Sequence, residues 1–224
     1  MKRFILLLLL FSSLIMPNER FKNTDEEAAG KSFREFLKWS FTNKKPELVA
    51  INSSDEWMKL TPNSTDYLIW IGHATYLIKK DGLTILTDPV FSKRASPVRF
   101  AGPKRLIPPA IPIDKLPKID VITVSHNHYD HLDLRSLKQI YKANPNAIFL
   151  VPKGDKRRLE RRGIENIHEF LWWEEIDLNG SKFTFTPVQH WSARGIADRN
   201  KSLWGGWFMR SEEHTSELQS QPDL

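Results

Sequence analysis

Three histidines and an aspartate fall within six consecutive positions, in the stretch "SHNHYDH" that runs from Ser125 to His131. The arrangement is His-x-His-x-Asp-His: His126, His128, Asp130 and His131. Histidine is scarce elsewhere, with only seven in 224 residues, so three together at one place point to a shared task. Imidazole nitrogen and carboxylate oxygen form a donor set suited to Zn²⁺, and less selectively to Fe or Mn. On an extended turn alternate residues face the same way, so His126 and His128 can share one ion. Asp130 and His131 lie where the chain bends into a helix and can face a second. Taken singly, each residue has a plainer reading: Asp130 or Asp133 could cap the helix, and any one histidine could be a hydrogen-bonded surface residue. Four of them at this spacing favour metal. A zinc ion lowers the pKa of bound water to about 7, which makes hydroxide available at neutral pH without a protein base. Two such ions about 3.5–4 Å apart can hold a nucleophile and a phosphoryl oxygen together, a geometry suited to a phosphodiester.

The elements around the motif must hold it at the end of a strand. "IDVITVS" (residues 119–125) is nearly continuous in apolar residues and reads as a central strand covered on both faces. The following segment places Leu134, Leu137 and Ile140 at helical spacing and ends near Asn144-Pro145. Upstream, "DYLIWIG" and "TYLIKK" read as a hairpin turning at Gly72-His73-Ala74, and "GLTILTDP" reads as a third strand ending at Asp88-Pro89. Seven of the fourteen prolines fall between Pro89 and Pro117, which predicts a long ordered loop without regular structure. Downstream come a buried strand "AIFLVP", a short basic helix closing on Gly163, and "KFTFTPVQH", a strand with Phe183 and Phe185 on one side and His190 at its end. "SLWGGWFM" reads as a last strand, and His168 in "NIHEF" as an ordinary strand histidine. Hairpins first and alternating strands and helices afterwards predict a layered α/β sandwich.

Composition excludes several classes. There is no cysteine, so disulfides and thiolate metal sites are ruled out. The net charge of +6 rises to +9, from 32 basic and 23 acidic side chains, once Arg210, Glu212, Glu213, Glu217 and Asp223 are set aside. That surface would suit acidic partners such as phospholipid headgroups, though a merely solvated basic surface fits as well. No basic stripe interleaved with aromatics is visible, which argues against nucleic acid. At the N-terminus, Lys2 and Arg3 precede a 13-residue apolar run from Phe4 to Met16. This reads as a secretory signal or an uncleaved anchor, placing the protein in the cell envelope, with a membrane-associated cytoplasmic location as the alternative. Phe33, Phe36, Leu37 and Phe41 have the spacing of one packing face on a helix.

Several blocks beyond the motif, "WIGHATYLI", "LTDPVFSKRASP", "GPKRLIPPAIPIDKLPKIDVITVSHNHYDHLD" and "PVQHWSARG", resemble the metallo-β-lactamase superfamily. Within it they are similar to the N-acylphosphatidylethanolamine-hydrolysing phospholipase D family, over residues 67–209. The resemblance implies an αββα sandwich and two zinc ions, with Fe or Mn as alternatives. It assigns His126, His128 and His190 to the first ion, and Asp130 and His131 to the second, with Asp130 also in the catalytic role. Asp88 would support the ligands from behind. His73 lies in a matched block but is not one of the family's ligands, and it is read as structural or facing the substrate. Trp191 and Arg194 could face an acyl chain and a phosphate, with a core tryptophan and a surface arginine as the plainer readings. The implied reaction cuts the bond between phosphate and N-acylethanolamine at a membrane surface.

The resemblance also implies a bridging aspartate and a late histidine, which would lie beyond "SLWGGWFM". The chain there reads "RSEEHTSELQS", the string obtained by translating a common sequencing adapter, so residues 210–224 are read as an artefactual tail and His214 is not made a ligand. The resulting division is a signal or anchor (1–16), an N-terminal extension (17–64), a partial metallo-β-lactamase domain (65–209) and the tail. This division predicts a C-terminally truncated, poorly folded and inactive chain, lacking its second sheet and holding at most one well-bound metal. The competing functions are a sugar-phosphate lactonase-like hydrolase, which "GHA" and the metal motif would also allow, and a non-catalytic metal-binding envelope protein. A nuclease is disfavoured by the missing basic stripe.

Overall fold

A computed structural model describes residues 20–25, 34, 38, 42, 54–59, 66–195 and 197–211. The apolar N-terminal run, the four apolar residues of the proposed packing face (Phe33, Phe36, Leu37 and Phe41) and the tail from residue 212, with His214, lie outside the described residues.

The first sheet starts as a meander of β1 (Tyr67–Gly72), β2 (Thr75–Lys80) and β3 (Leu83–Thr87), all antiparallel. From β3 it continues in parallel through β4 (Val121–Thr123), β5 (Ile148–Pro152) and β6 (Ile167–Phe170), in spatial order β1 to β6. The parallel steps need crossovers. Helix α1 (Leu134–Ala143) connects β4 to β5, and the short α2 (Lys156–Glu160) connects β5 to β6. Asp133 starts α1 by accepting a bond from the Arg135 N–H, and the Asn144 N–H closes it on the carbonyls of Ile140 and Tyr141. The proline-rich stretch 89–117 runs as an irregular loop, apart from one turn of 3₁₀ helix at Ile113–Lys115.

Strand parity decides what each face of this sheet covers. Leu86, Ile122, Phe149 and Val151 pack against Leu137 and Ile140 of α1 and Leu159 of α2. The alternate residues, Leu83, Ile85, Val121 and Leu150, meet Phe183, Phe185, Trp207 and Met209 of a second sheet. That sheet is antiparallel, in the order β7 (Glu175–Leu178), β8 (Ser181–Thr186), β9 (Gly206–Ser211). The expectation that the second sheet would be missing is therefore overturned. The β7–β8 hairpin, unread in the sequence, turns on Asn179 and Gly180, both at positive φ (55° and 80°), as an Asn-Gly turn should. The layers built by the elements named above are helices, sheet, sheet.

Two boundaries differ from expectation. The strand before His190 ends at Thr186, because Pro187 cannot donate to the ladder. The last strand begins at Gly206 instead of Ser202, and Leu203 and Trp204 before it are buried side chains of the approach. That approach ties the second sheet to the metal motif. The Gly205 N–H donates to the Ser125 carbonyl at 3.0 Å, and the Trp207 indole N–H donates to the Val124 carbonyl at 2.9 Å. A Cβ on Gly205 would lie 2.5 Å from the Phe185 ring and 2.6 Å from the Thr186 carbonyl oxygen. Gly205→Ala should therefore cost about 1–3 kcal/mol of stability in urea denaturation and lower metal affinity as well, because the displaced segment also holds Ser125. An unchanged midpoint would show that the segment yields freely.

Candidate metal centre

β4 ends at Thr123, and the chain then leaves the sheet into the motif. The Val124 N–H still bonds to the Leu150 carbonyl, after which Ser125–His131 curls over the carboxyl end of the strand. Bonds from the N–H groups of His131 and Leu132 to the His128 carbonyl close the turn.

Three imidazoles converge there. His126 Nε2 lies 2.9 Å from His128 Nδ1, and His190 Nε2 lies 3.1 Å and 3.3 Å from the same two atoms. Burial, reinforced by the neighbouring imidazoles, drives the His126 pKa far below its ordinary value. The same causes bring His128 down to about 4, and burial also lowers His190. All three are thus neutral at pH 7, the form whose ring nitrogens carry a free lone pair. Ligand atoms about 2.0–2.1 Å from a tetrahedral ion lie about 3.3 Å apart, close to this triangle. The donor set fits a divalent transition metal.

A second group adjoins the first, with the His126 and His131 ring centres 4.1 Å apart. His131 Nε2 lies 3.8 Å from Asp130 Oδ2, and both face His73. His73 Nε2 is 3.2 Å from Asp130 Oδ2 and 3.4 Å from His131 Nε2. Sequence reasoning did not bring His73 into this group.

Asp88 organises the centre from behind. Its Oδ1 accepts the Ser125 N–H at 2.7 Å, while its Oδ2 takes the Ser125 hydroxyl at 2.6 Å and His131 Nδ1 at 2.8 Å. Burial works against a charged His131, but the hydrogen bond and charge of Asp88, helped by Asp130, outweigh it and raise the pKa. With Nδ1–H given to Asp88, the neutral ring aims its Nε2 lone pair at the second group.

Other supports were not read from the sequence. Asn127, fully buried between two motif histidines, donates to Asp155, whose Oδ1 also accepts from Ser202 and Arg158. Asn23 accepts the His190 N–H at 3.1 Å and the Trp204 indole N–H at 3.0 Å, so part of the N-terminal extension props up the His190 loop. Polar residues lying between apolar strands were the only available signal. Arg194 donates to the carbonyls of Asn127 and Leu132 and lies over the Tyr129 ring at 3.9 Å, bracing the motif backbone. Trp191 packs edge-on against His128, with ring centres 4.2 Å apart, and also lines a cavity of about 700 Å³. His73, His128 and Asp130 open onto that cavity, whose other walls include Trp70, Val90 and Ile107. His168 sits in β6, away from both groups.

The Beta-lactamase superfamily domain matches residues 84–216, more than half of the chain. The chain belongs to that superfamily. An N-acyl-phosphatidylethanolamine-hydrolyzing phospholipase D of Caenorhabditis elegans is 40% identical over 155 residues, which is 65% of this chain and 44% of that protein. A mitochondrial counterpart in Saccharomyces cerevisiae is 39% identical over 147 residues, 64% of this chain and 31% of that one. The superfamily chain thus spans less than half the length of either relative. A solved structure, described as a possible metal-dependent hydrolase of Veillonella parvula, matches 66% of this chain and 59% of its own with TM-score 0.50 and 19% identity, a likeness of fold.

The groups behind the motif can be tested in two ways. Asp88→Asn should weaken metal binding by roughly 10- to 100-fold, read by competition with a chromophoric chelator, and wild-type affinity would refute the orienting role. Burial raises the Asp155 pKa to about 6, so the folded protein binds a proton there that the unfolded chain releases near its ordinary value. The stability linked to that proton is complete below the unfolded pKa and is lost as pH rises through about 6. Between pH 4 and 7 the stability difference between wild type and Asp155→Asn should therefore move in the variant's favour by on the order of 3 kcal/mol in paired urea titrations. A difference independent of pH would contradict the assignment.

Proposed function

We propose that this chain carries the catalytic region, within residues 65–209, of a zinc-dependent phospholipase D-type phosphodiesterase acting on N-acylphosphatidylethanolamine or related lipids. The observation that carries this reading is the cavity. Its walls at Trp70, Val90, Leu106, Ile107 and Trp191 suit an acyl chain, and it opens directly onto His128 and Asp130. Lys104 and Arg105 line the same space and suit a phosphate. The two phospholipase D relatives support the same substrate class.

His126, His128 and His190 would hold one ion, and Asp130 and His131 would take part in holding a second. Bound there, zinc supplies an acidified water and a Lewis acid for a phosphoryl oxygen. The chain's own residues set the stage for that chemistry. Asp88 fixes the His131 ring, Ser125 braces both Asp88 and His126, and Trp191 closes over His128 on the cavity side. Water then adds across the bond between phosphorus and the N-acylethanolamine oxygen, giving phosphatidic acid and the N-acylethanolamine.

A lipid surface is the proposed partner, at the cell envelope. Phe100 (83% exposed) and Leu106 (61%) stand out from the proline-rich loop, and Leu106 also lines the cavity. Arg99 and Lys104 beside them are also exposed. Apolar tips flanked by cations suit an anionic bilayer. No helix among the described residues is long and apolar enough to cross a membrane.

The test is to load the chain with Zn²⁺ and offer N-acylphosphatidylethanolamine in vesicles alongside a soluble phosphodiester and a sugar-phosphate lactone. With the second sheet present, release of phosphatidic acid, stopped by a chelator and reduced at least 100-fold (about 3 kcal/mol) in His128→Ala, is expected, against the sequence-based expectation of an inactive chain. Preferential turnover of the lactone would favour a lactonase-like hydrolase. Metal binding with no turnover would favour a non-catalytic role.

A further inference from the structure

We infer that residues 20–25 form a strap that positions the metal-binding histidine His190, with Asn23 as the positioning residue. The inference rests on the metal-hydrolase reading above and deepens it, because it makes part of the N-terminal extension a component of the metal centre. His126 and His128 sit in a motif whose backbone is held by Asp88 and Arg194. His190 lies outside the sheet ladder, on the connection between the end of β8 at Thr186 and the start of β9 at Gly206. The strap fastens that connection. The Arg20 guanidinium donates to the Arg199 carbonyl at 2.8 Å, and the Phe21 N–H donates to the Asn200 carbonyl at 2.8 Å. Asp25 accepts the Gln189 amide at 3.0 Å. Phe21 also packs against the core between the two sheets, which anchors the strap.

Asn23 is the middle of it. The residue is 6% exposed, and its Oδ1 accepts the His190 N–H at 3.1 Å and the Trp204 indole N–H at 3.0 Å. A buried polar side chain is costly unless its hydrogen bonds compensate, so a requirement for an acceptor explains it better than packing does. The indole alone does not set that requirement, because the Trp204 N–H also reaches the Val188 carbonyl at 3.0 Å. The His190 N–H does. With that bond made, the His190 backbone is held while its Nε2 meets His126 and His128. The strap reaches the cavity wall as well: Arg199, whose carbonyl holds Arg20, lies over the Trp191 ring at 4.6 Å. One short segment thus sets both a ligand and a wall of the cavity.

The test combines Zn²⁺ affinity of the full 224-residue chain, read by competition with a chromophoric chelator, with amide hydrogen exchange at His190 in the metal-free chain, read by NMR. Asn23→Leu keeps the bulk and removes the acceptor, and it should weaken Zn²⁺ binding by roughly 10- to 100-fold. Asn23→Asp keeps an acceptor oxygen and should restore the affinity to near that of wild type. In the unsubstituted chain the His190 amide should exchange far more slowly than an unstructured amide, a readout that does not depend on how the variants fold. Wild-type affinity in Asn23→Leu, or equal losses in the leucine and aspartate variants, overturns the positioning role and leaves the proposed function standing. Exchange of the wild-type His190 amide at the unstructured rate overturns it as well. No Zn²⁺ bound by wild type removes the metal-hydrolase reading and, with it, the role of the strap.

Discussion

Five imidazoles crowd the carboxyl end of β4, and adjacent rings can lie this close only if most stay uncharged. Protonating one would set a cation against its neighbours in a poorly solvated place. Burial and mutual repulsion hold His126, His128 and His190 neutral, while His131 is paired with Asp88 and His73 lies against Asp130. That asymmetry divides the centre into a group of three neutral nitrogens and a group built around Asp130. The surrounding architecture can be understood as what holds these rings in place.

The holding is done from three directions. From β3, Asp88 reaches under the motif and takes bonds from Ser125 and His131. From the β5–α2 connection, the buried Asp155 takes the Asn127 amide, so the position between two motif histidines is anchored by an acid that burial keeps reluctant to ionise. From the second sheet, Gly205 and Trp207 bond to the backbone of Ser125 and Val124. A parallel sheet suits such a centre because its strands end together, and the chain leaving each end is free to converge. The apolar layers on either face of the first sheet give those ends a rigid base.

The long loop between β3 and β4 has a double role. Arg105 donates to the Val90 carbonyl, and Ser92 bonds through its N–H to Asp133, so the loop is fastened both to itself and to the start of α1. Its apolar and cationic residues then form one wall of the cavity against the donor groups. Proline density accounts for this division of labour: it prevents a further strand while limiting the freedom of the loop.

Much of this was legible in the sequence, because it depends on neighbours along the chain. His126, His128, Asp130 and His131 announce themselves by spacing alone, and β3, β4, β5 and α1 do so by apolar runs and period. The β7–β8 hairpin was available through its Asn-Gly turn and was missed. His190, which sits beside His126 across 64 positions, was reached only through the family resemblance of its surrounding block. What only the tertiary structure decided is which other distant residues join the centre, as His73 does beside His131 across 58. Asn23 reaches the His190 backbone across 167. No local pattern encodes such contacts. They follow from strand order and from the packing of two sheets, and a polar side chain such as Asp155 or His73 acquires its role only from what that packing brings against it.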